Sequence, residues 1–88
     1  MVLIRTNNGG YYYPAPGDLI QVVDVERGEQ PVGYRVAATN TQTGTRVYLS
    51  RVYPLPSVAQ VASDALIERL AALGVVVVDA AGEEAIDD

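Results

Sequence analysis

The sequence contains no cysteine, no histidine and no lysine, which are three of the side chains that most often carry catalysis or bind metals. Without cysteine the chain has no disulfide, no thiolate nucleophile and none of the usual cysteine-based zinc sites. Without histidine or lysine a serine nucleophile lacks its ordinary general base. We therefore expect a protein that is not an enzyme and that carries no cofactor and no metal.

The acidic residues do not restore a catalytic or metal-binding pattern. Asp24 and Glu26 stand two residues apart on a predicted strand, whereas glycosidases place two carboxyl groups on opposite sides of a cleft. The C-terminal GEEAIDD lacks the alternating oxygen ligands and the internal glycine of a calcium loop. The glycine turns also lack the pattern and the lysine of a phosphate-binding loop. We interpret these acids as solvated surface charges.

Long hydrophobic runs and a basic charge excess are also missing. The run VVVV at 75–78 cannot span a bilayer, and MVLIR at the N-terminus is too short for a signal peptide, so we expect a soluble protein without a membrane segment. The net charge of −5 is the sum of −6 in residues 57–88, which hold seven acids and one arginine, and +1 in residues 1–56. Nucleic-acid binding is disfavoured, because it usually requires clustered positive charge.

Residues 2–53 consist of short β-prone runs separated by turn residues, a pattern typical of a small antiparallel sheet or barrel. Asn8-Gly9 predicts a two-residue hairpin turn, and Pro16-Gly17 predicts a type II turn. The run at 18–25 is apolar on both faces and is the best candidate for a central strand. The five predicted strands are 2–6, 11–13, 18–25, 32–39 and 45–53, and alternation in the fourth places Val32, Tyr34, Val36 and Ala38 inward.

A single helix is predicted over 58–73. Pro54 and Pro56 end the last strand, and Ser57 with Gln60 has the spacing of a capping box. Gly74 suits a left-handed C-terminal cap, and the valines that follow predict a short sixth strand. The sequence thus predicts a mainly β domain of the α+β class over 1–78, a five- to six-stranded antiparallel barrel or sheet with one C-terminal helix, followed by an acidic flexible tail at 79–88.

All six aromatic residues are tyrosine, and three of them are consecutive. In a strand Tyr11 and Tyr13 point to one side and Tyr12 to the other, so the three cannot all fill a core. A core role and an interface role both stay open, since tyrosine is enriched at interfaces. Prolines stiffen the segment and lower the cost of ordering it on binding. We predict a preorganised docking surface made of Tyr11, Tyr12, Tyr13, Pro14 and Pro16.

Two further contact surfaces are predicted. The apolar stripe of the helix and the valine run suit packing on the sheet and self-association of copies, and we expect some of each. The residues concerned are Leu66, Leu70, Leu73, Val75 and Val77. An alternative binding face, with stacking and guanidinium contacts for a nucleic acid or a protein, is predicted at Tyr34, Arg35, Arg46 and Tyr48.

Two stretches resemble known families. PGDLIQVVDV and VGYRVAATNTQTGTRVYL resemble the middle of a Src-homology-type or Tudor-type small β-barrel. The segment SDALIERLAALGVVV (63–77) resembles the short helix of small bacteriophage head-fibre and capsid-decoration proteins. Its matching positions are Asp64, Ala65, Leu66, Ile67, Leu70, Ala72 and Gly74. The second resemblance implies a virion accessory role, with helices that assemble around a symmetry axis.

We therefore expect a non-enzymatic structural or assembly protein. Its most concrete form is a small virion accessory component, a capsid-decoration or head-tail part, that docks on capsid or connector proteins and forms a homo-oligomer. One alternative is a small β-barrel that binds a protein or a nucleic acid. A further alternative is a small acidic inhibitor in which the 79–88 tail imitates the charge of a nucleic acid.

Overall fold

The computed structural model describes residues 3–79. The elements, in chain order, are β1 (Ile4–Arg5), β2 (Tyr11–Tyr12), β3 (Leu19–Arg27), β4 (Gln30–Thr39), β5 (Arg46–Tyr48), α1 (Pro56–Ala72) and β6 (Val78–Asp79). β1 and β2 form a two-stranded ribbon, and the other strands form one sheet in the order β5-β4-β3-β6. The mainly β architecture with one helix is as predicted, but the strands of residues 3–79 form two open sheets and no closed barrel.

β3 and β4 form the long hairpin at the centre of the larger sheet. They pair antiparallel from Leu19 opposite Thr39 to Arg27 opposite Gln30. The two-residue turn between them begins with Gly28, whose φ of 66° is what a type II′ turn requires at its first position. β3 has a neighbour on each side, and its apolar residues on both faces are at least partly buried, which confirms the predicted central strand.

An irregularity in this hairpin changes the predicted pattern of β4. The register shifts between Val25 and Glu26, so β4 holds one extra residue near its start. Val32 lies at this shift and is exposed, so the prediction that it points inward is wrong. Beyond the shift the alternation holds, because Val36 and Ala38 are buried in the core.

α1 starts without the predicted capping box. The N-cap residue is Leu55, proline occupies the first turn, and no side chain caps the helix, so the roles predicted for Ser57 and Gln60 are wrong. Proline is favoured at this position because it lacks an amide that would need a partner. The Gln60 side chain donates instead to Asp64 at 2.9 Å.

The end of α1 is as predicted. Gly74 has a φ of 89°, and its amide donates to the carbonyl of Ala71 at 3.0 Å. The amide of Val75 donates to the carbonyl of Leu70 at 2.9 Å, which completes a Schellman motif. This tight exit turns the chain back toward the sheet.

The core lies where α1, the larger sheet and the β1–β2 ribbon meet. Its buried apolar residues are Ile4, Tyr12, Ile20, Val36, Ala38 and Leu70. Val47 and Leu49 pack at its edge. The ribbon hairpin loop spans residues 7–9 rather than two residues, since the amide of Gly9 donates to Thr6 and the amide of Thr6 donates to Gly10.

The valine run pairs within this chain. Only Val78 enters β6, where it lies opposite Leu19 in a parallel pair with β3, so the strand is shorter and later than predicted. Val75 and Val77 pack against the core, while Val76 is exposed. Of the predicted tail at 79–88, Asp79 belongs to β6 and the remainder lies outside the described residues. Within residues 3–79, α1 is neither long nor apolar enough to cross a bilayer.

Candidate docking site

The tyrosine segment, defined here as residues 11–18, exposes two of its three tyrosines. Tyr12 pairs with Ile4 and Tyr11 with Arg5 across the ribbon, so consecutive side chains point to opposite faces. Tyr12 is 6% exposed, whereas Tyr11 and Tyr13 are 58% and 61% exposed. The core role therefore belongs to Tyr12, and the surface left for a partner belongs to Tyr11 and Tyr13, with the exposed Pro16 and the half-buried Pro14 beside them.

Tyr12 is held by a buried carboxylate. Its hydroxyl donates a hydrogen bond to Oδ2 of Asp18, a residue that is only 2% exposed. The same oxygen accepts the amide of Ala15 at 3.1 Å. Burial raises the pKa of the Tyr12 phenol well above its usual range, and the hydrogen bond to Asp18 and the negative charge of that carboxylate act in the same direction. Tyr12 is therefore a neutral donor at physiological pH.

Backbone hydrogen bonds fix the remainder of the segment. The amide of Asp18 donates to the carbonyl of Ala15 at 3.1 Å and Gly17 has a φ of 89°, as expected for the predicted type II turn. The amide of Gly17 donates to the carbonyl of Val76, and the amide of Val78 donates to the carbonyl of Asp18, both at 2.9 Å. Residues 76–78 thus anchor the end of the tyrosine segment at Gly17 and Asp18.

A cleft of about 240 Å³ separates the tyrosine segment from the β4–β5 hairpin. Its floor consists of the buried lining residues Tyr12, Asp18 and Ala38. Tyr11 and Tyr13 form its exposed rim on one side. Asp18 is the charged residue among those that line the cleft.

The opposite wall of the cleft is the β4–β5 loop, which contributes Asn40, Thr43 and Thr45. Oδ1 of Asn40 accepts the amides of Gln42 at 2.9 Å and Thr43 at 3.0 Å. The amide of Asn40 donates to the carbonyl of Thr45 at 2.9 Å, and the two threonine hydroxyls are hydrogen-bonded at 3.1 Å. Both walls are therefore ordered by contacts within the chain.

The structure brings together three of the four residues predicted as an alternative binding face. Arg35, Arg46 and Tyr48 lie on the sheet face opposite α1, here called the open face. The guanidinium carbon of Arg35 lies 4.5 Å from the centroid of the Tyr48 ring, and Nε of Arg46 donates to Oγ1 of Thr39 at 3.4 Å. Tyr34 alternates with Arg35 and so belongs to the other face.

The residues predicted for self-association are mostly occupied in the chain's own fold. Leu70 is fully buried in the core, so it has no surface to offer a second copy. Leu66, Val75 and Val77 are half-buried and pack against that core. Leu73, at 53% exposed, is the one member of this predicted set with most of its surface free.

Asp18 and the β4–β5 loop are the site residues that sequence reasoning missed. The Pro-Gly-Asp run by itself predicts only a turn before a strand. A local signal existed, because an acid three residues after Ala15 can accept the Ala15 amide across the turn. Its burial depends on Tyr12 and on β6, which are distant in sequence from one another.

Residues 3–79 contain no group of three or more acidic side chains that could hold a metal ion. Comparisons with protein-family models, with curated proteins and with solved structures each found no match.

Proposed function

We propose that this protein is a non-enzymatic docking module that attaches to a larger protein assembly through Tyr11, Tyr13 and Pro16. The observation that carries the proposal is the exposure of both tyrosines, 58% and 61%, on a segment already fixed by buried bonds. Tyrosine brings a large rigid apolar area with a hydroxyl at its tip, which is why it is enriched at interfaces.

The fixed conformation of the segment supports the proposal energetically. A flexible loop loses about 0.5–1.5 kcal/mol for each side chain that binding immobilises. Here the type II turn, the Tyr12–Asp18 bond and the two backbone bonds to residues 76–78 are present in the free chain. Less of the binding free energy from Tyr11 and Tyr13 is therefore offset by the cost of ordering the segment, and the affinity is higher than for a flexible loop.

The most concrete form of this proposal is an accessory component of a virus particle, either a capsid-decoration or a head-tail part. It is supported by the resemblance of residues 63–77 to phage head-fibre and capsid-decoration helices. In this fold Leu66 and Ile67 pack against the chain's own core, so the likeness supports a shared helix and Gly74 cap rather than an exposed assembly helix. The proposed homo-oligomer would use Leu73.

The open face supports a second candidate function, binding of a protein or a nucleic acid. The specific observation is the stack of Arg35 on Tyr48, which presents a cation and an aromatic ring side by side. The third candidate, an acidic inhibitor, depends on the 79–88 tail, of which residues 80–88 lie outside the described part of the chain.

Partner retention tests the docking proposal directly. Tagged wild-type chain and the double variant Tyr11→Ala/Tyr13→Ala are incubated with lysate of the source cells, and with purified particles if the source is a virus. We expect the double variant to retain its stoichiometric partner at least about tenfold less well, because interface tyrosines are frequent hot spots. The loss should persist when salt is raised, since apolar burial is not screened.

Tyr48→Ala is the matched control, because it removes another exposed tyrosine from the open face. It should retain the partner like the wild type, and thermal unfolding should show that all three proteins are folded. Equal retention by the double variant would contradict docking through the tyrosine segment. Selective loss with Tyr48→Ala would favour the open face instead.

A further inference from the structure

Asp18 is a buried acid that has no basic partner among residues 3–79. All six arginines lie within residues 3–79, the sequence has no lysine or histidine, and no guanidinium is hydrogen-bonded to Asp18. Acidic residues are almost never fully buried unless they are paired, because removing a charge from water is costly. Within the described range, the Asp18 carboxylate in the cleft floor therefore lacks a counter-charge.

The hydrogen bonds of Asp18 leave capacity for such a partner. The hydroxyl of Tyr12 and the amide of Ala15 both donate to Oδ2. Oδ1 accepts no hydrogen bond from the described residues, and a carboxylate has roughly four acceptor sites. In the opposite wall, the hydroxyl oxygens of Thr43 and Thr45 can each accept one further hydrogen bond, whereas Oδ1 of Asn40 already accepts two.

The rim suits the stem and the charge of a long basic side chain. Tyr11 and Tyr13 line the cleft with aromatic surface, on which a cation is stabilised by the ring quadrupole. The methylene groups of arginine and lysine pack on apolar surface while their charged ends reach a polar partner. The volume of about 240 Å³ lies below the ~300–1,000 Å³ of typical small-molecule sites, which favours one side chain over a cofactor.

We propose that the cleft receives a basic side chain, an arginine or a lysine, from the protein on which this chain docks, with the Asp18 carboxylate as its counter-charge. The inference rests on the proposed docking function and adds the chemistry of the partner. It also explains why two exposed tyrosines flank a buried acid, since the tyrosines supply contact area and the acid selects a cation. An acidic partner surface would be rejected by the same carboxylate.

Single amino-acid probes test this inference without the partner. The full-length chain is titrated with N-acetyl-arginine amide, N-acetyl-lysine amide and the neutral isostere N-acetyl-citrulline amide, and amide chemical shifts are followed by NMR. We expect saturable shifts at Ala15 and Thr45 with at least one charged probe, and at least about tenfold weaker binding of citrulline. The arginine and lysine arms decide which of the two side chains is preferred.

Asp18→Asn removes the charge and keeps an acceptor for Tyr12 and Ala15, so it should lower the affinity for the charged probe about tenfold or more. Asp24→Asn is the matched control, because it makes the same change in net charge at an exposed position of β3 and should bind like the wild type. If Asp18→Asn fails to fold, Tyr13→Ala replaces it and should also weaken binding.

Three results would overturn the inference: equal binding of citrulline, equal weakening by Asp24→Asn, or no cleft shifts with either charged probe. None of these bears on partner retention, which tests docking itself through Tyr11 and Tyr13. The double tyrosine variant could lose the partner while neither charged probe shifts the amides of the cleft. That result would support docking through the tyrosine segment and contradict the binding of a basic side chain in the cleft.

Discussion

The tyrosine segment and the open face both expose tyrosine, but they differ in what the chain itself supplies to the ring. On the open face Tyr48 is 44% exposed and already carries the guanidinium of Arg35 at 4.5 Å. Within residues 3–79, the rings of Tyr11 and Tyr13 have no such cation. The charged residue that lines their cleft is Asp18, which has the opposite sign.

This difference shows which of the exposed tyrosines indicate a binding site for another protein. Isolated exposed apolar side chains are normal on a protein surface and need no explanation. Arg35 stacks on Tyr48 and donates through Nη2 to the carbonyl of Ser50, so the Tyr48 ring already has a cation from its own chain, although the buried Nε of Arg35 has no hydrogen-bond partner among residues 3–79. The tyrosine segment is equally ordered but leaves two tyrosines exposed without a cation, which is why we place docking there. Its unmatched negative charge is what we assign to a basic side chain of the partner.

The largest expected effect that tests this comparison is the loss of Tyr12. Replacing Tyr12 with alanine should lower the free energy of unfolding by about 3–5 kcal/mol, because it empties a large core position and leaves Asp18 without its hydroxyl donor. Tyr48→Ala should change it by only about 0.5 kcal/mol. Urea denaturation followed by circular dichroism measures both. Similar losses in the two variants would show that Tyr12 is not part of the core.

The second effect is expected at Asp18. Asp18→Ala should cost about 1–3 kcal/mol, since the hydroxyl of Tyr12 and the amide of Ala15 both lose their acceptor. Asp18→Asn keeps an acceptor and should cost less, while Asp24→Ala on the surface should stay within about 0.5 kcal/mol. Urea titrations of the three variants rank them. A more stable Asp18→Ala protein would mean that the buried charge strains the free chain.

Local patterns in the sequence are sufficient to predict the structural features that depend only on neighbouring residues. Alternation separated Tyr12 from Tyr11 and Tyr13, and the type II turn at Pro16-Gly17 and the helix end at Gly74 followed from residues that tolerate a positive φ. Each is determined within a few residues of chain, so propensity and spacing carry the information.

Features that depend on distant contacts could not be predicted. The extra residue in β4 reverses the orientation of Val32. Gly33 beside it, with a φ of 154°, is a local sign of an irregular strand, but the register shift itself is set by the pairing with β3. Leu70 and Leu73 belong to the same predicted helix stripe, yet only Leu70 meets the sheet. Likewise, the burial of Asp18 requires Tyr12 on one side and Val78 on the other, brought together by the parallel pairing of β6 with β3.

The smallest expected effect is the change in the free energy of unfolding at alkaline pH, which tests the Tyr12–Asp18 hydrogen bond. The pKa of Tyr12 is raised in the folded protein above its ordinary value of 10.0, first by burial and then by Asp18. Above about pH 10 the unfolded chain loses this proton while the folded chain keeps it, so the unfolded state binds fewer protons and stability falls as pH rises. The contribution is fully present below that pH.

Tyr12→Phe cannot ionise at this position, so its free energy of unfolding should fall less steeply over the same alkaline range. Urea titrations at several pH values from about 9 to 11 compare the slopes, and ultraviolet titration should show that the variant has lost the last phenol to ionise. The wild type and the variant are first compared at neutral pH, where any difference reports packing and hydrogen bonding alone. Parallel alkaline slopes would mean that Tyr12 is accessible to hydroxide, in which case the floor of the cleft opens in solution and Asp18 is hydrated.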